Sequence, residues 1–189
     1  LIKGKIHINE PKLSEMVTTA FQKELFTLNS HPITADIHFI AVPTPIINSP
    51  NGNPKPDISY VINAAKAIAK IIKKNDLVII ESTCPVGTTN KVSKVISDHG
   101  KISIKEFHIA YCPERVLPGN IIHEIKNNNR VIGGNSEKAN EVAIRFFSTF
   151  CNGELVKTDS KTAELIKLSE NAFRDVNIAF ANEIMRLSI

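Results

Sequence analysis

Three polar side chains recur at helical spacing near the end of the chain. Lys167, Asn171 and Arg174 occupy positions i, i+4 and i+7 of the segment TAELIKLSENAFRDVNIAFANE. At about 3.6 residues per turn they fall on one helix face, within about 60° of one another. An ammonium, a carboxamide and a guanidinium in a row suit a ligand that carries phosphate and hydroxyl groups. A solvated polar stripe is the alternative interpretation.

The residues beside this row are mostly apolar, which predicts that much of the helix is buried. They are Leu165, Leu168, Ala172, Val176, Ala179 and Phe180. Burial would lower the pKa of Lys167, because surroundings of low dielectric constant disfavour the charged form. A lysine of this kind beside an amide can take up a proton or meet a developing negative charge.

A second pair of charges lies in a loop that follows a predicted strand. The apolar run FHIAY leads into CPERVLPG, residues 112–119, in which Glu114 and Arg115 stand between two prolines. Pro113 and Pro118 restrict the backbone on either side of the two charges. Both a ligand-binding loop and an ordinary surface bend are compatible with this spacing.

Two further strand ends carry hydroxyl groups. In AVPTP, Thr44 lies between two prolines, and the second of them favours an extended conformation for it. In ESTCPVGTT, Thr83 ends a strand, Gly87 permits close backbone approach, and a helix that Thr88 could cap follows. A free helix N-terminus surrounded by hydroxyls favours an anion or a ribose–phosphate group. Turn and cap chemistry alone is the alternative.

The elements that position these groups alternate between apolar runs and helix-period segments. Strands are predicted at 36–42, 76–82, 106–112, 129–134 and 153–158. Helices are predicted at 10–26, from Asp57, at 88–98, from Ser136, and from about residue 159 to the end, with an irregular loop at 43–56. Apolar strands alternating with helices indicate an α/β fold, in which helices cover both faces of a parallel sheet. Ligands bind beyond the carboxyl ends of such strands.

Composition and charge narrow the class of protein. The chain has 189 residues and a formal net charge of +4, with scattered lysines that form no nucleic-acid footprint. No apolar run approaches the roughly 20 residues of a membrane span. Cys84, Cys112 and Cys151 lack the spacing of a zinc site, so we expect no metal and reduced thiols in a cytoplasmic protein. The chain begins at Leu1 and stops at Ile189 within a helical pattern, which suggests a fragment.

As an ordered set, five motifs resemble one family. AVPTP, ESTCPVGTT, YCPERVLPGN, NNRVIGG and TAELIKLSENAFRDVNIAFANE are similar to the NAD-dependent nucleotide-sugar dehydrogenases, which oxidise a sugar C6 alcohol to a carboxylate. The resemblance covers nearly the whole chain. It implies that residues 1–158 are part of an NAD-binding, Rossmann-like domain. Residues 159–189 would then begin a central helical domain, through which we expect a homodimer.

The resemblance also implies roles for the strand ends and the charged loop. Thr44 and Thr83 match positions that contact NAD. Arg115 and Val116 would contact the sugar-nucleotide substrate, a UDP-sugar. Glu114 would support the catalytic water.

For the helical row, the resemblance implies direct participation in the reaction. Lys167 matches the residue that stabilises the developing oxyanion or shuttles a proton. Asn171 would position the substrate and a water beside it, and Arg174 would reach the substrate from the next turn. Two oxidations would consume two molecules of NAD, with a thiohemiacetal and then a thioester on a cysteine between them.

Two elements of the family are missing from this sequence. No G-x-G-x-x-G follows an opening strand, so the first glycine-rich βαβ unit is absent and would precede Leu1. The nucleophilic cysteine of the family stands in a Gly-Gly-His-Cys context, which the chain does not contain. We therefore assign that role to none of the three cysteines, and we expect the isolated 189-residue chain to be inactive.

One position in the charged loop bears on the choice of sugar. Relatives that act on UDP-glucose carry a second glutamate where this chain has Pro118, which disfavours UDP-glucose. The motifs as a set most resemble the family members that act on UDP-N-acetyl-D-mannosamine, so we expect that substrate. GDP-mannose and UDP-N-acetylgalactosamine remain possible. A non-catalytic module that binds sugar nucleotides or mediates dimerisation is a further alternative. A Rossmann-type hydroxy-acid dehydrogenase is disfavoured by the combination of PERVLPG with KLSENAFRD.

Overall fold

The computed structural model describes residues 10–48 and 52–188 of the chain. In these ranges the helices are α1 Leu13–Gln22, α2 Ser59–Ala69, α3 Thr88–Gly100, α4 Ile121–Asn127, α5 Glu137–Phe147 and α6 Ser160–Leu187. The strands are β1 Ile37–Ile40, β2 Ile46–Asn48, β3 Pro54–Pro56, β4 Leu77–Ile80, β5 His108–Tyr111, β6 Arg130–Gly134 and β7 Leu155–Asp159.

Five of these strands form one sheet in the order β1-β4-β5-β6-β7. All neighbours are parallel except β5 and β6, where Ala110 pairs with Gly134 in antiparallel register. The predicted α/β class is confirmed, and the sheet is mixed rather than purely parallel. Because β6 and β7 run opposite to the other strands, α6 starts at the far edge of the sheet. It then runs back toward the edge where β1, β4 and β5 end.

Side chains of alternate strand residues pack against different helices, so both faces of the sheet are covered. Val78 and Ile80 of β4 belong to the cluster that includes residues of α2, α3 and α6. Leu77 and Ile79 point to the opposite cluster, which α5 closes with Phe147. Every residue of β4 is buried, as expected for a strand covered on two faces.

The prediction of an irregular loop over 43–56 is wrong. β2 and β3 pair antiparallel in this segment, with Ile46 opposite Pro56 and Asn48 opposite Pro54. Proline is compatible with this arrangement because a two-stranded ribbon has outer edges that need no ladder hydrogen bond. The short helix α4 also lies in a segment for which the sequence predicted no helix.

Two predicted helical faces are exposed rather than buried. α1 is shorter than expected, and none of its residues is buried. On α6, Phe173 is 74% exposed, Val176 67% and Phe180 66%, so the prediction that much of this helix is buried is wrong. The cause is geometric, since burial on α6 is confined to its first turns, which cross the sheet.

The predicted start of α5 at Ser136 is confirmed. The Ser136 hydroxyl accepts a hydrogen bond from the backbone N–H of Ala139 at 3.1 Å, satisfying one of the unpaired donors of the first turn.

Replacing this cap should weaken the fold measurably. We expect Ser136→Ala to lower the free energy of unfolding by about 1 kcal/mol, because the Ala139 N–H loses its acceptor. Ser136→Asp should restore most of the loss, since a carboxylate caps equally well. Urea unfolding followed by circular dichroism would measure both changes, and equal stabilities for the alanine variant and the wild type would contradict the prediction.

Candidate active site

The charged loop and α6 face each other across a short gap. The Lys167 ammonium donates to the backbone carbonyl oxygen of Glu114 at 2.5 Å. One turn along the helix, the Glu170 carboxylate pairs with the Arg115 guanidinium. The structure thus brings the charged loop into contact with α6, although the residues in contact lie about 50 positions apart in the sequence.

The charged loop is held in place by backbone hydrogen bonds to carboxylates. The Val116 N–H donates to the Glu114 carboxylate, and the Leu117 N–H donates to Glu124 of α4 at 2.8 Å. Glu10 accepts from the N–H groups of Gly119 and Ile121 at 2.8 and 2.7 Å. These anchors fix the orientation of the loop backbone toward α6. Sequence reasoning missed Glu10 and Glu124, which carry no local pattern that would have indicated them.

The two threonine-bearing strand ends share a cavity with α6. Thr44, Thr83 and Asn171 line this cavity, which has a volume of about 370 Å³. The remaining walls are mostly apolar: Ile46, Pro56, Cys84, Pro85 and Leu168. Hydroxyl and amide groups on an apolar wall can orient a flat ring that carries a sugar.

Ser82 joins the two strand ends that border the cavity. Its hydroxyl oxygen accepts from the Val42 N–H at 2.8 Å and lies 2.8 Å from the Val42 carbonyl oxygen. The side chain is buried, so these bonds are shielded from water. Ser82 therefore fixes the spacing between the segments that carry Thr44 and Thr83, a role that sequence reasoning did not assign.

The three polar residues of α6, Lys167, Asn171 and Arg174, become more exposed along the helix: the first two are half-buried and Arg174 is exposed. Burial lowers the pKa of Lys167, while the carboxylates of Glu114 and Glu170 partly oppose this shift. The exposed Arg174 guanidinium donates to the Asn171 side-chain oxygen at 2.8 Å and thereby orients this amide. A lysine with a lowered pKa gives up its proton more readily than an exposed one.

Of the two interpretations of the helix N-terminus near Thr88, the structure supports turn and cap chemistry over a free anion site, and the expected cap at Thr88 is wrong. Gly87, not Thr88, is the N-cap residue, and the Thr88 hydroxyl donates to the Pro85 carbonyl oxygen at 2.7 Å. The N-terminus of α3 is occupied by the Glu164 carboxylate, which accepts from the backbone N–H groups of Gly87 and Thr89. The protein thus supplies its own anion where the sequence suggested a ligand.

Two consecutive parts of the chain match two domains of one enzyme family. Residues 1–151 match the NAD-binding domain of the UDP-glucose/GDP-mannose dehydrogenase family, and residues 161–188 match its central domain. The chain belongs to this family. The resemblance inferred from the motifs is thereby confirmed, and so is NAD as the cofactor.

Individual dehydrogenases are similar along nearly the whole chain. An NDP-N-acetyl-D-galactosaminuronic acid dehydrogenase of Ralstonia nicotianae is 44% identical over 96% of this chain and 44% of its own length. A UDP-N-acetyl-D-mannosamine dehydrogenase of Campylobacter jejuni is 45% identical over 96% of this chain and 46% of its own. The chain therefore spans a little under half the length of these curated relatives.

Solved structures agree with the fold. The UDP-N-acetyl-mannosamine dehydrogenase of Staphylococcus aureus superimposes with a TM-score of 0.88 and 38% sequence identity, covering 98% of this chain and 45% of that one. The GDP-mannose dehydrogenase of Pseudomonas aeruginosa, at 23% identity and a TM-score of 0.84, shares the fold.

The cavity fits one part of the family's cofactor. Apolar walls suit the nicotinamide ring, and the Thr44 and Thr83 hydroxyls suit the ribose attached to it. The fit rests on the hydroxyls of Thr44 and Thr83, which follow the parallel strands β1 and β4, the position where dinucleotides bind in such sheets.

Two of the three cysteines have thiols of low reactivity. Burial raises the pKa of both the Cys84 and the Cys112 thiol to about 12, so each stays protonated at neutral pH. A thiol nucleophile must lose its proton to react, which argues against this role for either residue.

Within the described ranges, no cluster of His, Cys, Asp or Glu is placed to hold a metal ion. No helix in those same ranges is long and apolar enough to cross a membrane.

Proposed function

We propose that the chain is part of an enzyme that uses NAD to oxidise the C6 alcohol of UDP-N-acetyl-D-mannosamine to a carboxylate, a step in surface polysaccharide synthesis. The observation that carries the proposal is the contact between Lys167 and the charged loop, beside a cavity that Asn171 shares with Thr44 and Thr83. Relatives named for this substrate are up to 45% identical to the chain.

Lys167 is the residue that we propose meets the developing charge. As an alcohol carbon loses hydride, its oxygen must lose a proton and passes through a state of partial negative charge. The Lys167 ammonium already donates to one oxygen at the Glu114 carbonyl, so its position suits donation to a second oxygen nearby. Its lowered pKa makes it suitable for passing a proton on.

The neighbouring side chains orient the substrate and water in this proposal. Asn171 lies on the cavity wall and can hold the sugar and a water molecule beside Lys167. Arg174, bonded to Asn171, lies on the exposed side, where a substrate phosphate would approach. Arg115 and Val116 form the opposite side, and Glu114 supports the water that enters at the second oxidation.

Oxidation of an alcohol to a carboxylate removes two hydrides from the same carbon and takes one oxygen from water. Two molecules of NAD, bound in turn, would accept one hydride each. The chain's own residues hold the reacting carbon near the cavity and take up the protons that leave the oxygen. The covalent intermediate of the family requires a reactive thiolate, and the raised pKa of Cys84 and Cys112 argues against both as its source.

Domain organisation and assembly belong to the same proposal. Residues 1–158 would form part of the cofactor domain, and 159–189 would begin the central helical domain. The exposed apolar residues of α6 support a homodimer formed through that domain. The free cysteines are compatible with a cytoplasmic location.

Substrate choice is tested directly with the full-length protein. We expect NADH formation with UDP-N-acetyl-D-mannosamine at a kcat/KM at least about tenfold above that with UDP-glucose. UDP-N-acetylgalactosamine and GDP-mannose serve as the comparison substrates. The absence of NADH with all four nucleotide sugars would refute the proposed activity, while a preference for one of the others would correct only the sugar.

A further inference from the structure

Glu164 is a fully buried carboxylate at the point where α6 meets α3. One of its oxygens lies 2.5 Å from the Gly87 backbone nitrogen, and the other lies 2.7 Å from the nitrogen and 2.6 Å from the hydroxyl of Thr89. All three groups donate to the carboxylate. A buried charge is costly unless it is hydrogen-bonded, and the partial positive charge of the α3 N-terminus adds to its stabilisation.

Both partners in this contact lie within a few residues of the candidate site along the chain. Gly87 and Thr89 follow the turn that carries Thr83 on the cavity wall. On α6, Lys167 and Asn171 stand three and seven residues after Glu164, so all three lie along one side of the helix. The Glu164 carboxylate therefore connects the cavity's strand end to the helix that carries the ammonium and the amide.

We propose that Glu164 is a positioning residue that holds Lys167 and Asn171 in register with the Thr83 turn, a role that rests on the proposed function. Because the carboxylate binds α3 through both oxygens, it limits the rotation of α6 as well as its sliding. An apolar contact of similar area would specify the rotation of α6 less sharply, since the hydrophobic effect is not directional. Two-point hydrogen bonding to a charged group adds the geometric specificity that a catalytic helix needs.

Glu164→Gln is the decisive variant because it keeps the side-chain size while removing the charge. The new amide presents a donor to one of the two backbone N–H groups, so that contact is lost. We expect kcat in the full-length protein to fall about 10- to 100-fold, the loss typical of a misplaced catalytic group. The KM for NAD should change less than about threefold, since Thr44 and Thr83 remain on the strand ends.

Three further variants separate positioning from general damage. Glu164→Asp keeps the charge on a shorter side chain and should recover part of the lost kcat. Thr89→Val removes only the hydroxyl donor, and it provides the test if the glutamine variant does not fold. Its expected fall in kcat is about 3- to 10-fold. Glu183→Gln is the matched control, because Glu183 is an exposed carboxylate on the same helix, paired with Arg186.

The titration of the Lys167 ammonium, followed by NMR in the same proteins, supplies a readout independent of turnover. If Glu164 sets the depth of Lys167, the pKa of this lysine should move toward its ordinary value in Thr89→Val, which leaves every charge around the ammonium in place. Glu164→Gln also removes a nearby carboxylate, which by itself lowers the pKa of a lysine, so Thr89→Val is the variant used for this readout. A purely structural role would lower the melting temperature and leave that titration unchanged.

The outcomes distinguish this inference from the proposed function. A folded Glu164→Gln protein with kcat within twofold of wild type would overturn the positioning role, and so would an unchanged Lys167 titration in Thr89→Val. If Glu164→Gln does not fold, the kcat of Thr89→Val decides in its place. If the wild type oxidises no nucleotide sugar, the proposed function is wrong. In that case the Lys167 titration in Thr89→Val alone decides: an upward shift of its pKa supports the coupling through Glu164, and no shift refutes it.

Discussion

Replacing Lys167 with alanine in the full-length protein is expected to lower kcat by about 100- to 10,000-fold, the contribution typical of a positioned acid–base group. The expectation follows from the contact of the ammonium with the Glu114 carbonyl at 2.5 Å and from its place beside the cavity. The KM for the sugar nucleotide should change much less, because Arg115, Asn171 and Arg174 remain. Steady-state NADH formation measures both quantities.

A matched lysine on the same helix provides the control. Lys161 is exposed in the first turn of α6, so Lys161→Ala should leave kcat within about twofold of wild type. Turnover of the Lys167→Ala protein within about threefold of wild type, a barrier change under roughly 1 kcal/mol, would exclude the role proposed for Lys167.

The pH dependence of kcat tests the same group with a definite sign. Burial lowers the pKa of Lys167, so this ammonium loses its proton at a lower pH than an exposed lysine does. If the charged form meets the developing oxyanion, kcat should fall as the pH rises through that lowered value. Lys167→Arg should remove this alkaline fall, because a guanidinium stays protonated well above that pH.

Local patterns were sufficient to predict the five strands that form the sheet. β4 and β5 lie in mainly apolar runs with clear boundaries, and the carboxyl ends of parallel strands share one edge of a sheet. The prediction that Lys167 and the charged loop would share a cleft follows from this topology together with the family resemblance. The antiparallel placement of β6 did not, since strand direction is set by how the chain crosses the sheet.

The Glu164 contact was beyond sequence reasoning for a different reason. Glu164 reads as an ordinary acidic residue in a helical segment, and its partners Gly87 and Thr89 lie more than 70 residues earlier. The sequence indicated an anion site at the α3 N-terminus but could not say that the anion belongs to the protein. Likewise, the apolar residues of α6 predicted a buried face, but Phe173, Val176 and Phe180 are exposed, because the helix runs past the sheet after its first turns.

A large loss of stability is expected from Gly133→Ala, because Gly133 of β6 packs directly against the start of α6. A Cβ at this position would lie 2.6 Å from the Ala163 Cβ and closer still to the backbone oxygen of Asp159. Backbone cannot give way as a flexible side chain does, so Gly133→Ala must push α6 away from the sheet. We expect the free energy of unfolding to fall by about 3 kcal/mol. The melting temperature should drop by roughly 6–12 °C.

Two comparison variants identify the cause of that loss. Gly52→Ala adds a Cβ with nothing within 4 Å, so it should cost only the strain of a positive φ, about 1 kcal/mol. Ala163→Gly combined with Gly133→Ala removes the contact between the two Cβ atoms but leaves the Asp159 backbone in place. The double variant should therefore recover less than half of the loss. Thermal unfolding followed by circular dichroism measures all three. A Gly133→Ala protein as stable as Gly52→Ala would show that α6 does not rest on β6 as closely as these distances indicate.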